Sequence, residues 1–147
     1  MDIFSNLRGD GSIMISIKYN FWINIFSFFR TLRNKKWLDN KGYLYTLNFF
    51  SFFANDHQRV QEIIPILESI HIGKTEYHIF LTKFGTYGSY SLPNKIFLNI
   101  YQPLNKISDV LKHEIKHLQV EDIVLKQNLS HVEKEKLIRS IKNKLDG

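Results

Sequence analysis

Alternation of apolar and polar residues marks several β-strands along the chain. In residues 12–19, Ile13, Ile15 and Ile17 alternate with more polar neighbours. A period of two with β-branched residues predicts a strand with one buried face. Residues 76–83 and 95–101 are two further strand-like runs. The segment that joins them is too long and too aromatic for a simple turn, so we expect a short extended stretch within it.

Helices are predicted over most of the remaining chain. Two aromatic-rich segments, residues 21–32 and 43–53, are interpreted as helices, and their Phe clusters as core rather than membrane contact. An exposed patch in these clusters would instead indicate a partner. Three further helices are predicted at residues 58–69, 106–126 and 131–144. This order of elements predicts an α+β fold, in which a small antiparallel or mixed sheet packs against helices.

Composition limits the chemistry that the chain can perform. A length of 147 residues suits one domain with a hydrophobic core, so we expect residues 1–147 to form a single domain. The chain has no cysteine, which excludes disulfides, a Cys nucleophile and thiolate metal sites. Neither a secretory signal nor an apolar run of about 20 residues is visible. We therefore expect a soluble, cytoplasmic protein.

The net charge of +6 at pH 7 raises the question of an acidic partner. Basic residues concentrate in residues 30–41 and 126–144. In the second segment charges of both signs alternate on a predicted helix, which is typical of a solvated face. No nucleic-acid-binding motif accompanies either segment, so a nucleic-acid-associated protein is kept only as an alternative.

The run His113-Glu114-Ile115-Lys116-His117 is the strongest chemical signal in the chain. Histidines at i and i+4 of a helix lie one turn apart and can bind one metal ion, while Glu114 faces a water on that metal. Glu114 also falls within an apolar stripe of the same helix, which consists of Ile107, Val110, Leu111, Ile115 and Leu118. A carboxylate that faces the core needs a partner, because an unpaired buried charge is costly. We therefore predict a Zn²⁺ site with His113 and His117 as ligands.

A catalytic zinc needs a third protein ligand, and the downstream candidates are Glu121, Asp122, His131, Glu133 and Glu135. Glu121 shares a helical face with His117, one turn further along, and suits a residue that holds a ligand imidazole. Ser130 and Glu133 have the spacing of a capping box, in which each side chain bonds the other residue's backbone amide. That structural role leaves Glu135 available, although the helical wheel does not distinguish between Glu133 and Glu135.

The His-Glu-x-x-His motif followed by Glu135 on a second helix resembles the gluzincin metallopeptidases. The small size, and the run from Gly85 to Tyr90 ahead of a strand and the motif helix, are similar to the minigluzincins over roughly residues 76–141. The resemblance implies that His113, His117 and Glu135 are zinc ligands and that Glu114 is the general base. It also implies an edge strand that aligns an extended peptide, formed by Thr86, Tyr87, Gly88, Ser89 and Tyr90.

Two positions depart from the gluzincin pattern. Arg139 stands where an Asp commonly orients the first histidine, so Glu121 is a candidate for part of that role. No residue clearly matches the side chain that stabilises the oxyanion, for which His131, Tyr87 and Tyr90 are candidates. Minigluzincins resemble proenzymes whose own chain blocks the cleft, so the activity could be latent.

These patterns lead us to expect a zinc-dependent metallopeptidase, active or latent, with Glu114 as the general base. Its partner would be a peptide or protein substrate; no membrane is expected to take part, and a nucleic acid is not the favoured partner. Two alternatives remain open. One is a zinc-binding regulatory or interaction protein on a degenerate peptidase fold, and the other is a basic nucleic-acid-associated protein.

Overall fold

A computed structural model describes residues 3–9, 12–70 and 76–145 of the chain. Its elements are strands β1 (Ile3–Gly9) and β2 (Ser12–Tyr19), helix α1 (Phe21–Lys41), strand β3 (Tyr45–Thr46), a 3₁₀ helix (Phe49–Phe53), helix α2 (His57–Glu68), strands β4 (Tyr77–Thr82), β5 (Gly85–Thr86), β6 (Gly88–Ser91) and β7 (Lys95–Asn99), and helices α3 (Leu104–Gln127) and α4 (His131–Leu145). This combination confirms the predicted α+β class. Within the described ranges, every helix is too short or too polar to cross a bilayer.

The main sheet has five strands in the order β1-β2-β4-β7-β6. Strands β2, β4 and β7 run parallel, whereas β1 and β6 pair antiparallel at the two edges. The three predicted strands are present, and the extended stretch expected between the last two consists of β5 and β6. β5 pairs with β3 in a separate two-stranded sheet. The antiparallel edge strand β6 is the part of this sheet that borders the candidate site.

Helices α2 and α3 cover one face of the sheet. Fully buried aliphatic side chains of β4 and β7, including Ile79, Leu81 and Leu98, pack there against Leu67 and Leu111 of the helices. Each such side chain stabilises the fold by about 1.5–3 kcal/mol when it leaves water. Because successive side chains of a strand point to opposite faces, the rings of Phe80 and Phe97 lie on the other side of the sheet, where Phe97 contacts Phe26 of α1 with centroids 6.3 Å apart.

Residues 21–53 differ from their prediction. Helix α1 continues through the mostly polar residues 33–41 and ends at Lys41. Gly42 caps it with a φ of 68°, the left-handed conformation that glycine tolerates best. Residues 43–53 do not form a second α-helix, because Tyr45 and Thr46 pair with β5 and only a 3₁₀ helix follows. The Thr46 hydroxyl also donates a hydrogen bond to the Lys83 carbonyl oxygen at 2.7 Å. Tertiary pairing therefore overrides the local helical pattern.

The predicted burial of the aromatic clusters is also wrong. Most rings of residues 21–29 and 49–53 are exposed. On α1 the side that faces the protein carries small polar residues instead, namely Asn24, Ser27 and Thr31. The Asn24 side-chain oxygen accepts a hydrogen bond from the Lys83 backbone amide at 2.8 Å. The usual amphipathic arrangement of a surface helix is thus reversed over residues 21–31 of α1, whereas Leu38 nearer its end is buried.

A three-residue connection turns the chain back from α3 into α4. Asn128 ends α3 in the left-handed conformation, with a φ of 48°. Ser130 begins α4 with the predicted capping box: the Glu133 carboxylate accepts a hydrogen bond from the Ser130 amide at 2.8 Å, and the Glu133 amide donates to the Ser130 hydroxyl at 3.4 Å. A small second core that includes Val124 and Ile138 joins the two helices. This connection places the first turn of α4 beside the motif histidines of α3.

Candidate metal centre

The two motif histidines converge on one point beside α3. Nε2 of His113 lies 3.0 Å from Nε2 of His117. The two rings are nearly perpendicular, at 85°, with centroids 4.6 Å apart. Two imidazole nitrogens this close share a proton or face a common cation, because their lone pairs otherwise repel each other.

Helix α4 brings Glu135 to the same point. Its Oε1 lies 3.3 Å from Nε2 of His117. Each of the three residues offers one ligand atom, and these atoms all lie within 4.8 Å of one another. The structure therefore groups the three residues predicted as ligands, while Glu133 remains engaged in the capping box.

The spacing of these atoms fits a small cation. Zinc binds His nitrogen and carboxylate oxygen at about 2.0–2.2 Å, so ligand atoms of a tetrahedral site lie about 3.3 Å apart. The His113–His117 and His117–Glu135 separations of 3.0 Å and 3.3 Å agree with that value, and the third pair of ligand atoms lies within 4.8 Å. Three protein ligands would leave one position for water or substrate. Other divalent transition metals accept the same donors, so the geometry supports a metal site without identifying the metal.

Glu114 lies next to this group and is 8% exposed. Its carboxylate packs against β6: a Cβ added to Gly88 would lie 2.8 Å from Oε1 of Glu114. Only glycine allows the strand and the carboxylate to approach so closely. Burial, aided by the negative charge of Glu135, raises the pKa of Glu114 to about 7. Such a carboxyl group exchanges protons near neutral pH, as a general base must.

His117 is the more buried of the two histidines. Burial, together with the neighbouring His113, lowers the pKa of His117 to about 4. Its imidazole is therefore neutral at neutral pH and has a lone pair for a metal. The Tyr90 ring stacks on it, with centroids 5.0 Å apart and an interplanar angle of 12°. Nδ1 of His117 is buried and has no hydrogen-bond partner among the described residues.

Glu121 lies one turn beyond His117, but its carboxylate contacts other groups. Oε2 accepts hydrogen bonds from the Tyr90 hydroxyl at 3.0 Å and from the Lys134 ammonium at 2.5 Å. Burial acts to raise the pKa of Glu121, but these hydrogen bonds outweigh it and lower the pKa. The contact of Glu121 with a ligand candidate is thus indirect, since Glu121 bonds Tyr90 and Tyr90 stacks on His117.

Lys134 belongs to this site, and the sequence analysis missed it. Its side chain is buried and bonds both Glu121 and the Tyr90 hydroxyl. The prediction of a solvated basic face is therefore wrong for this lysine. Lys134 shares a helical face with Ile138 and Ile141, at spacings of four and seven residues, and this apolar stripe was the available signal.

The candidate metal ligands open into a cleft of about 1130 Å³. Residues 86–90, which are predicted to form a peptide-aligning edge strand, line this cleft, but only residues 88–90 belong to β6. Thr86 lies in β5 and pairs with Tyr45, so the edge strand is shorter at its start than predicted. Within the described sheet β6 pairs only with β7, so its outer edge offers main-chain donors and acceptors. Arg30 of α1 donates a hydrogen bond to the Ser89 hydroxyl at 3.0 Å.

The remaining predicted residues also lie close to the cleft. Tyr87, Tyr90 and His131, the candidates for oxyanion stabilisation, all line it. Arg139 lines a smaller cavity of about 270 Å³ beside His113 and Glu135. No protein-family model, curated protein or solved structure matches the chain. The gluzincin resemblance therefore stays a prediction.

Proposed function

We propose that the chain is a zinc-dependent metallopeptidase. The observation that carries the proposal is the convergence of His113, His117 and Glu135 beside the buried carboxylate of Glu114. The cleft into which they open is bordered by the outer edge of β6. Metal ligands, a proton-transfer group and a peptide-aligning strand are the three parts that metal-assisted peptide hydrolysis requires.

The chemical roles follow from the positions of these groups. Zinc, when bound, supplies Lewis acidity, which makes water acidic near neutral pH and polarises the scissile carbonyl. Glu114 accepts the proton of the attacking water and passes it to the leaving amine. The Glu114 side chain projects from α3 and packs against Gly88 of β6. Its carboxylate therefore has little freedom to turn away from that proton.

Substrate alignment is assigned to β6. An extended peptide pairs with the outer edge of the strand, where main-chain hydrogen bonds orient it without demanding a particular sequence. The cleft volume of about 1130 Å³ exceeds that of a typical small-molecule pocket, about 300–1,000 Å³. A cleft of this volume favours an accessible site over one that the described residues block.

Metal content is the first test of this proposal. We expect purified wild-type protein to contain one zinc ion per chain by elemental analysis, and Glu135→Ala to lose it. Glu133→Ala is the matched control, because Glu133 lies on the same helix but bonds Ser130 instead of facing the histidines. Absence of zinc from wild-type protein after remetallation would contradict the metal site.

Proteolysis is tested separately with Glu114→Gln. This variant should keep its zinc and lose hydrolysis of a fluorescently labelled unfolded protein, because glutamine cannot accept the proton. Hydrolysis by Glu114→Gln at the wild-type rate would refute the assigned base.

A zinc-binding protein without peptidase activity is the second candidate, because a hydrogen bond that supports the activity of a metal centre is missing among the described residues. A ligating histidine usually donates its second ring nitrogen to a carboxylate or carbonyl. Nδ1 of His117 makes no such bond within the described residues. Zinc in the wild-type protein without turnover of any peptide would support this candidate.

A further inference from the structure

Six exposed aromatic rings of α1 and the 3₁₀ helix form what we call the aromatic face: Phe21, Trp22, Phe29, Phe49, Phe50 and Phe53. Trp22, Phe50 and Phe53 are 74%, 77% and 77% exposed. Scattered apolar residues are normal on protein surfaces, but a contiguous group of this kind marks an interaction site.

Ring contacts connect the aromatic face into one surface. Phe49 contacts Phe50 and Phe53, with centroid distances of 6.4 Å and 5.9 Å. The half-buried Phe28 joins Phe49 to Phe29, at 6.0 Å and 5.6 Å. Phe21, which contacts Trp22 at 5.9 Å, reaches Phe49 through the ring of Phe52. The six rings therefore form a contiguous group.

The polar inward side of α1 explains why the aromatic rings of this helix remain exposed. The side of α1 that packs against the protein carries Asn24, Ser27 and Thr31, all buried. The Thr31 hydroxyl donates to the Ser27 carbonyl oxygen at 2.7 Å, and the Asn24 side-chain oxygen accepts from the Lys83 amide at 2.8 Å. Turning α1 to bury its rings would break the hydrogen bond between Asn24 and the Lys83 amide, because this bond joins α1 to the loop after β4.

Positive charge accompanies the aromatic face. Residues 11–55 contain six Lys or Arg residues and one acidic residue, Asp39. Arg33, Lys36 and Lys41 of α1 are exposed, and Asp39 is paired with Lys35 at 2.6 Å. Most of the chain's net charge of +6 therefore lies on the segment that carries the exposed rings.

We propose that the aromatic face docks onto the surface of an anionic lipid bilayer. Phe and Trp side chains insert at the boundary between headgroups and acyl chains, while Lys and Arg contact the anionic headgroups. α1 would lie in the plane of this boundary. This inference is independent of the proposed peptidase activity, and it departs from the expectation of no membrane partner.

Charge favours the bilayer over a second copy of the chain. A symmetric dimer through the aromatic face would bring two segments rich in exposed Lys and Arg together, with only Asp39 on each side to offset them. An anionic bilayer neutralises the same charges, and because lipids are deformable it accommodates protruding rings without a complementary shape.

The test is binding of the full chain to vesicles, measured by co-sedimentation. Vesicles of phosphatidylcholine mixed equally with phosphatidylglycerol should bind wild-type protein at least about tenfold more tightly than pure phosphatidylcholine vesicles. Trp22 should report insertion through a blue shift of its fluorescence. Phe50→Ser combined with Phe53→Ser should weaken binding at least about tenfold without unfolding the protein, because both rings are exposed.

The matched control is Leu125→Ser combined with Val132→Ser. These side chains are 63% and 61% exposed, but they lie on α3 and α4, away from the aromatic face. The control should bind mixed vesicles as tightly as wild-type protein. The proposal is overturned if wild-type protein does not bind mixed vesicles, if both double variants bind equally, or if sedimentation velocity shows a dimer that the Phe variant abolishes while vesicle binding is unaffected.

Discussion

Replacement of Lys83 by methionine should destabilise the fold strongly. Nζ of Lys83 lies 2.6 Å from Asp56, and the two side chains are only 6% and 8% exposed. The same ammonium donates hydrogen bonds to the carbonyl oxygens of Ser51 and Ala54, each at 2.8 Å. Lys83 thereby ties the end of the 3₁₀ helix and the start of α2 to the loop after β4.

The magnitude follows from the groups that the substitution leaves without a cation. Methionine matches the length of the lysine stem but removes the charge. The Asp56 carboxylate then remains buried without a cation, and the Tyr101 hydroxyl still donates to it at 3.1 Å. Removal of one partner of a buried ion pair typically costs about 3–5 kcal/mol. For a chain of this size, that loss corresponds to roughly 10 °C in the melting temperature.

Urea unfolding followed by circular dichroism measures this loss, with a chelator present so that metal binding does not contribute. Lys35→Met is the matched control: Lys35 also lies 2.6 Å from its partner, Asp39, but these side chains are 51% and 45% exposed. We expect little change in its unfolding free energy, because water screens exposed pairs. Adding Asp56→Asn to Lys83→Met should recover part of the loss, since the unpaired charge is then removed.

Equal unfolding free energies for Lys83→Met and Lys35→Met would refute this reasoning. Such a result would mean that burial does not distinguish the two ion pairs, and that the segment containing the 3₁₀ helix is not held by Lys83. A larger loss in the Asp56→Asn double variant than in Lys83→Met alone would contradict the assignment of the cost to an unpaired carboxylate.

Two further predictions concern the candidate site and its second helix. Gly88→Ala would place a Cβ 2.5 Å from Cγ1 of Val110 and 2.8 Å from Oε1 of Glu114. It should therefore lower the unfolding free energy by about 1–3 kcal/mol and reduce the zinc affinity measured by titration. Gly42→Ala is the control and should leave zinc affinity unchanged, because its Cβ would meet nothing within 4 Å. Ser130→Ala removes the hydroxyl that accepts from the Glu133 amide at the start of α4, so it should reduce the unfolding free energy measured in urea by about 1 kcal/mol. An unchanged value would contradict the capping box.

The candidate ligands could be predicted because two local rules determine their positions. A helical turn brings His113 and His117 together whatever the rest of the fold does. The capping box at Ser130 determines where α4 begins, and so distinguished a capping Glu133 from an available Glu135. Both rules act over four residues or fewer, which is the range where sequence patterns are most informative.

The rest of the site depends on contacts between distant segments. Tyr90 and Lys134 are hydrogen-bonded although they lie 44 residues apart in the sequence, and no local pattern predicts that contact. The strand pairing of Thr46 with Gly85 likewise overrode a helical prediction for its segment. Sequence patterns also assume that aromatic residues are buried, and α1 breaks this assumption because its inward side is polar.

The position of Trp37 and Tyr43 bears on where a substrate would meet the cleft. The two rings stack at 5.4 Å at the C-terminal end of α1, the same helix that begins at the aromatic face, and both line the cleft. A protein lying on a bilayer through that helix would search for substrates in two dimensions instead of three. Polypeptides tethered to the same surface would reach the cleft at a raised effective concentration, whereas freely diffusing ones would not. Selectivity could then arise from location, with little discrimination among side chains.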